Sequence, residues 1–113
     1  MKEADIVLTP VPQADGQTKN RPALVLREMP GFGDFLVCGI STQLHQHVTG
    51  FDDMITVKDF DFQQSGLKMD SVIRLGFLAV LPRKNLAGTI GSISATRQAL
   101  LLGTLAKYLT TTS

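Results

Sequence analysis

A chain of 113 residues, 43% of them hydrophobic and with a formal net charge of +1, points to a single domain, 1–113. It has apolar residues enough to remove roughly 65% of its unfolded surface from water, which excludes global disorder. Its one cysteine, Cys38, excludes an internal disulfide, and near-neutral charge excludes a general nucleic-acid coat protein, so any nucleic-acid site has to be a local cluster or a groove shared between subunits.

The opening Met1-Lys2-Glu3-Ala4-Asp5 carries acids where a signal peptide needs a basic and then an apolar run. No apolar stretch approaches the roughly 18 residues of a membrane helix. The expected location is the cytoplasm.

Asp5-Ile6-Val7-Leu8-Thr9 predicts a first strand, and Pro10 and Pro12 are expected to end its pairing. Gln13 to Asn20 reads as a polar loop with an Asp15-Gly16 turn. Ala23-Leu24-Val25-Leu26 is a continuous apolar run, the pattern of a strand covered on both faces. Pro30-Gly31-Phe32-Gly33 is a turn, and Phe35 to Ile40 is the return strand of a hairpin. Ser41 to Gly50 is a polar loop holding both histidines. Asp53 to Val57 is a short strand, and Lys58 to Lys68 alternates acids and phenylalanines before breaking at Gly66.

Ser71 to Leu75 is a strand that Phe77 to Leu81 continues past a bulge at Gly76. Pro82 opens a helical turn, and Gly88 to Ile93 is a short strand or connection. Ser94 is a good N-cap for a helix from about Ala95 to Leu109. Leu101, Leu105 and Leu109 lie on one helical face there, with Leu102 and Ala106 beside them. The tail Thr110-Thr111-Thr112-Ser113 is expected to fray. Many short strands followed by one helix make a mainly β fold: a small bent sheet or barrel with a C-terminal helix on its side.

Four segments, in order, carry a likeness to a known family: Ala4-Asp5-Ile6-Val7-Leu8, Lys19-Asn20-Arg21-Pro22-Ala23-Leu24-Val25-Leu26, Gly39-Ile40-Ser41-Thr42-Gln43 and Asp70-Ser71-Val72-Ile73-Arg74. With a closing helix, they resemble the PemK/MazF toxins. The first of these segments opens with Gly-Asp in that family. The resemblance implies a small SH3-like barrel, a two-fold homodimer, metal-independent cleavage of single-stranded RNA without a cofactor, and a cognate antitoxin whose flexible tail lies over the dimer groove. It also implies Arg21 and Ser41 as catalytic residues, with Lys19, Thr42, Gln43 and Arg74 as RNA contacts.

The chemistry suits those residue types. Metal-free cleavage can use the neighbouring 2′-hydroxyl as nucleophile, so the enzyme has to manage two protons and extra phosphate charge. The planar fork of Arg21 can grip two phosphate oxygens. Without that role it is an exposed arginine at a strand start. Ser41 can donate to the phosphate or orient the attacking group, with Thr42 as the alternative if the register slips by one; the bland reading of Ser41 is an ST-turn.

Family members with an arginine at the Arg74 position carry Asp two residues later, followed by Gln; here those positions are Gly76 and Phe77. That removes a candidate acid–base group. His45 and His47 can supply one, since histidine exchanges protons near neutral pH, although a solvated loop also explains them. His-x-His without a third ligand makes no metal site. Cys38 reads as packing, and Asp52, Asp53, Asp59 and Asp61 read as a solvated acidic edge. Base stacking would fall to Phe32, Phe51, Phe60 or Phe62. A binding-only family member is the second reading. A gyrase-directed toxin of the same fold ranks third, because the chain has no tryptophan and no aromatic at its very end.

Overall fold

A computed structural model describes residues 1–12 and 14–111. Within them six strands form one antiparallel sheet: β1 (Asp5–Pro12), β2 (Thr18–Glu28), β3 (Phe35–Ser41), β4 (Asp53–Ile55), β5 (Ser71–Leu81) and β6 (Gly88–Ser92). Their order across the sheet is β4-β5-β3-β2-β1-β6. The sheet curls into a half-barrel, with a one-turn helix α1 (Phe62–Ser65) and a long helix α2 (Ala95–Thr110). None of the described helices is long and apolar enough to cross a membrane.

The first hairpin is longer than its prolines suggest. Pairing of β1 with β2 runs from Ile6↔Leu24 through Pro10↔Asn20 to Pro12↔Thr18. On its other side β1 meets β6 only as far as Leu8↔Gly88. From Thr9 onward β1 is therefore an edge strand, where a proline without an N–H leaves no second neighbour unbonded. Thr18 to Asn20, expected in the loop, thus belong to β2; Gln13, where that loop was expected to start, lies outside the described residues. At β4 the strand stops two residues short of Val57, because side chains take the backbone. Thr56 N–H donates to Asp59 at 2.8 Å and Val57 N–H to Asp70 at 2.8 Å.

The apolar run of β2 is buried on both faces, as its composition requires. Leu24 and Leu26 join Ile6, Cys38, Ile40, Ile73 and Leu75 in a core beneath Leu101 and Leu105 of α2. Ala23 and Val25 face the other way, into a second core with Val7, Phe35, Val37 and Leu86. Opposite β3, the ladder jumps from Cys38↔Leu78 to Gly39↔Arg74, so Leu75, Gly76 and Phe77 bulge out of β5 at the place where Gly76 predicts it.

Ser94 caps α2 through its Oγ, which accepts from Arg97 N–H at 3.1 Å. The leucine stripe holds for Leu101 and Leu105 but not to its end. Leu109 is exposed, since a helix of this length runs about 24 Å. Its last turn stands off the sheet across an open cavity of about 780 Å³ between Tyr108 and Leu78. Thr110 still closes that turn, its Oγ1 donating to Ala106 O at 2.8 Å. Thr112 and Ser113, expected to fray, lie outside the described residues.

Candidate functional site on the open sheet face

Ala23, Gly39 and Arg74 form one row across β2, β3 and β5 through the pairs Ala23↔Gly39 and Gly39↔Arg74. Residues in such a row project to one face, here the face of the second core, turned away from α2. Two residues back along β2 comes Arg21, and two more bring Lys19. Two residues on along β3 comes Ser41, paired with Val72. Lys19, Arg21, Ser41 and Arg74 thus share one face and one end of it. Strand spacing puts Arg21 and Arg74 roughly 12 Å apart along the backbone surface. The other end of this face is closed by the segment carrying Leu86.

The five arginines divide by partner. Arg27 pairs with Glu3, Arg83 with Glu28, and Arg97 with three aspartates. Arg21 and Arg74 have no carboxylate partner among the described residues. Arg21 is exposed; its backbone carbonyl accepts from Thr9 Oγ1 at 3.1 Å. Arg74 is half-buried, and its guanidinium carbon lies 5.1 Å from the centroid of the Phe77 ring.

Ser41 Oγ accepts from Gln43 N–H at 3.0 Å. This is the ST-turn of the bland reading, and it is compatible with the functional one: the turn occupies a lone pair and fixes the oxygen, while the hydroxyl hydrogen remains free to donate. Ile40 enters the core beneath α2, so Ser41 takes the open face by alternation, and Thr42 lies past the end of β3. The two histidines differ. His47 Nε2 hydrogen-bonds to Asp52 O at 3.1 Å, leaving Nδ1 for any proton exchange. His45 sits exposed in a 3-10 turn, Leu44–Gln46.

The acids are not a solvated edge. Asp61 is fully buried and accepts from the Arg97 guanidinium side-on, at 2.9 Å from Nε and 3.0 Å from Nη2. Asp53 accepts from Nη1 at 2.6 Å and Asp59 from Nη2 at 3.1 Å. Asp61 also accepts from Ser94 N–H at 3.0 Å. Burial alone would push the Asp61 carboxyl up, but the Arg97 hydrogen bonds and charge together with the Ser94 N–H hold it below its usual range. Asp52 serves the bulge instead: Oδ1 accepts from Leu75 N–H and Oδ2 from Val48 N–H, each at 3.0 Å. No local pattern in the sequence marks Arg97, because its partners lie some 36 to 44 positions away. Burial, and then the charge of Asp52, push the Cys38 thiol up to about 12, which suits packing rather than nucleophilic attack.

Of the phenylalanines considered for stacking, Phe51 packs on Tyr108 with centroids 5.0 Å apart, and Phe62 supports the first core. Phe32 and Phe60 are exposed. The aromatic ring that meets the open face is Phe77, seated over Gly39.

The described residues thus make a small β protein: a six-stranded antiparallel half-barrel with its long helix on one face and, on the other, two arginines that have no carboxylate partner among the described residues. The chain belongs to the PemK-like, MazF-like toxins of type II toxin–antitoxin systems, whose family model matches residues 2–109. Among solved structures it is similar to Mycobacterium tuberculosis toxin MazF-mt6, at 20% identity over 96% of this chain and 99% of that one, with a TM-score of 0.68. That likeness bears on the fold. No curated protein matches the chain.

Proposed function

We propose that this chain is the toxin of its pair and cuts single-stranded RNA without a metal, on the open sheet face. The observation that carries the reading is the pair Arg21 and Arg74: two arginines without carboxylate partners among the described residues, on one face of the sheet. In this mechanism the 2′-oxygen attacks the adjacent phosphorus, the P–O5′ bond breaks, and a cyclic phosphate and a 5′-hydroxyl result. Arg21 holds the non-bridging oxygens as charge builds on them. The Ser41 hydroxyl donates to the same phosphate. Lys19 and Arg74 bind flanking phosphates, and Thr42 and Gln43 contact the strand beyond the cut. With Gly76 in place of an acid, His45 or His47 takes the proton from the 2′-hydroxyl and returns one to the departing 5′-oxygen; in His47 the nitrogen for this is Nδ1, since Nε2 is bonded to Asp52 O.

The working form is a cytoplasmic homodimer, and an antitoxin tail covers the groove between the two copies. The exposed apolar residues at the end of α2 and on β5, Tyr108, Leu109, Leu78 and Val80, support the dimer; sedimentation of a monomer at micromolar concentration would contradict it.

The test is a long mixed-sequence single-stranded RNA incubated with purified protein in chelator, beside Arg21→Ala. Discrete fragments that disappear in the variant are expected, with a loss of about 100-fold or more in rate. Full cleavage by Arg21→Ala would sink the assignment. The absence of an acid at Gly76 favours one other reading, a member that binds RNA without cutting it. Tight binding with the RNA left intact would establish that instead.

A further inference from the structure

We infer that the Phe77 ring, seated on Gly39 and flanked by Arg74, is a stacking platform for one unpaired base. This rests on the RNA reading above and adds to it the contact that holds a base rather than a phosphate.

Four features converge on this ring. It is 64% exposed, a large apolar surface left in water. It is nonetheless held from below: a Cβ on Gly39 would lie 2.5 Å from Phe77 Cδ1, so only glycine lets the ring rest on the β3 backbone. The bulge of β5 aims it there, since Leu75, Gly76 and Phe77 fall outside the ladder between Leu78 and Arg74. Arg74 stands 5.1 Å from the ring centroid, within cation–π range. Ring and guanidinium together offer the two kinds of planar surface on which single-stranded bases stack.

The surroundings favour a nucleic acid over a second protein chain. The exposed Leu78 and Val80 pair with Cys38 and Leu36, whose side chains serve the core beneath α2, so they lie on the opposite face. On its own face the sheet runs one way into Val37 and Ala79 and the other way into Ser41, with Arg74 beside the ring and Arg21 two residues along β2 from Ala23. An apolar protein contact would leave those cations buried without partners, whereas the phosphates on either side of a stacked base supply them.

The sequence has no tryptophan, so Phe77→Trp places a single indole at the proposed contact. The probe is a mixed-sequence 2′-O-methyl oligoribonucleotide, which binds without being cut. Indole emission is expected to be quenched as the probe saturates the variant. Phe77→Ala and Phe77→Leu are expected to bind the probe roughly tenfold or more weakly. They should keep the salt dependence of the wild type, because no phosphate contact is removed. Circular dichroism and sedimentation should match the wild type.

Unquenched emission at saturation, or wild-type affinity in both Phe77→Ala and Phe77→Leu, would overturn the inference while leaving the nuclease reading in place. A loss of binding that tracks a change in sedimentation would assign Phe77 to a subunit contact instead. If the wild-type protein neither binds the probe nor cuts RNA, the functional reading itself fails.

Discussion

Ala4, just before β1, sits at φ +74°, a left-handed conformation that costs an L-residue with a Cβ roughly 1–2 kcal/mol. Two backbone bonds keep it there: Ala4 N–H donates to Val25 O and Ile93 N–H to Ala4 O, each at 2.9 Å. The related family carries glycine at this place, so the departure is visible in the sequence, but its cost appears only with the dihedral. Ala4→Gly relieves that strain and gives back about 0.4–1 kcal/mol through a freer unfolded chain, plus some lost packing. The expected Tm is unchanged or slightly higher. A loss above about 1 kcal/mol in a denaturant melt would contradict this account of Ala4. Arg21 and Ser41 were equally legible as candidates, because they stand in recognisable segments. That they share a face follows only from register. Phe77 was legible as a departure. Its seat on Gly39 was not, because a three-residue bulge decides which strand positions meet.

Among the elements, α2 was readable from its cap and leucine spacing, and the β2 and β3 strands from their apolar runs. Local patterns of that kind carry no information about partners far along the chain. Hence nothing local marks the Arg97 network, which ties the first turn of α2 to β4 and to the segment entering α1, and its acids read as surface residues. Removing the guanidinium with Arg97→Met leaves Asp61 buried without its counter-charge and is expected to cost about 3–5 kcal/mol.

The same network fixes a pH dependence. The Asp61 carboxyl is held below its usual value, so its contribution is complete above the unfolded carboxylate range, near pH ~4. It is lost as pH falls through the lower folded value. Urea midpoints measured from pH 5 down to pH 2 should therefore drop in the wild type. In Asp61→Asn they should start lower and fall less steeply. Parallel curves for the two proteins would show that Asp61 does not set the acid limit.

At the scale of the molecule, curling one sheet gives two unlike faces. One is closed by α2 over Leu24, Cys38 and Ile73. The other is only half closed, by the segment around Leu86, and its open half bears Arg21, Ser41 and Arg74. A strand alternates its side chains, so one sequence can build core and site from neighbouring positions, as Ile40 and Ser41 do. In the chemistry proposed for this open half, the RNA's own 2′-hydroxyl is the nucleophile. The most direct measurement takes a cut site found in a mixed-sequence RNA and replaces the single ribose 5′ to it by deoxyribose, in chelator. The expected result is a ribose substrate cut to a cyclic phosphate and a 5′-hydroxyl, with the deoxy substrate left whole. Cleavage of the deoxy substrate at the same bond would contradict it.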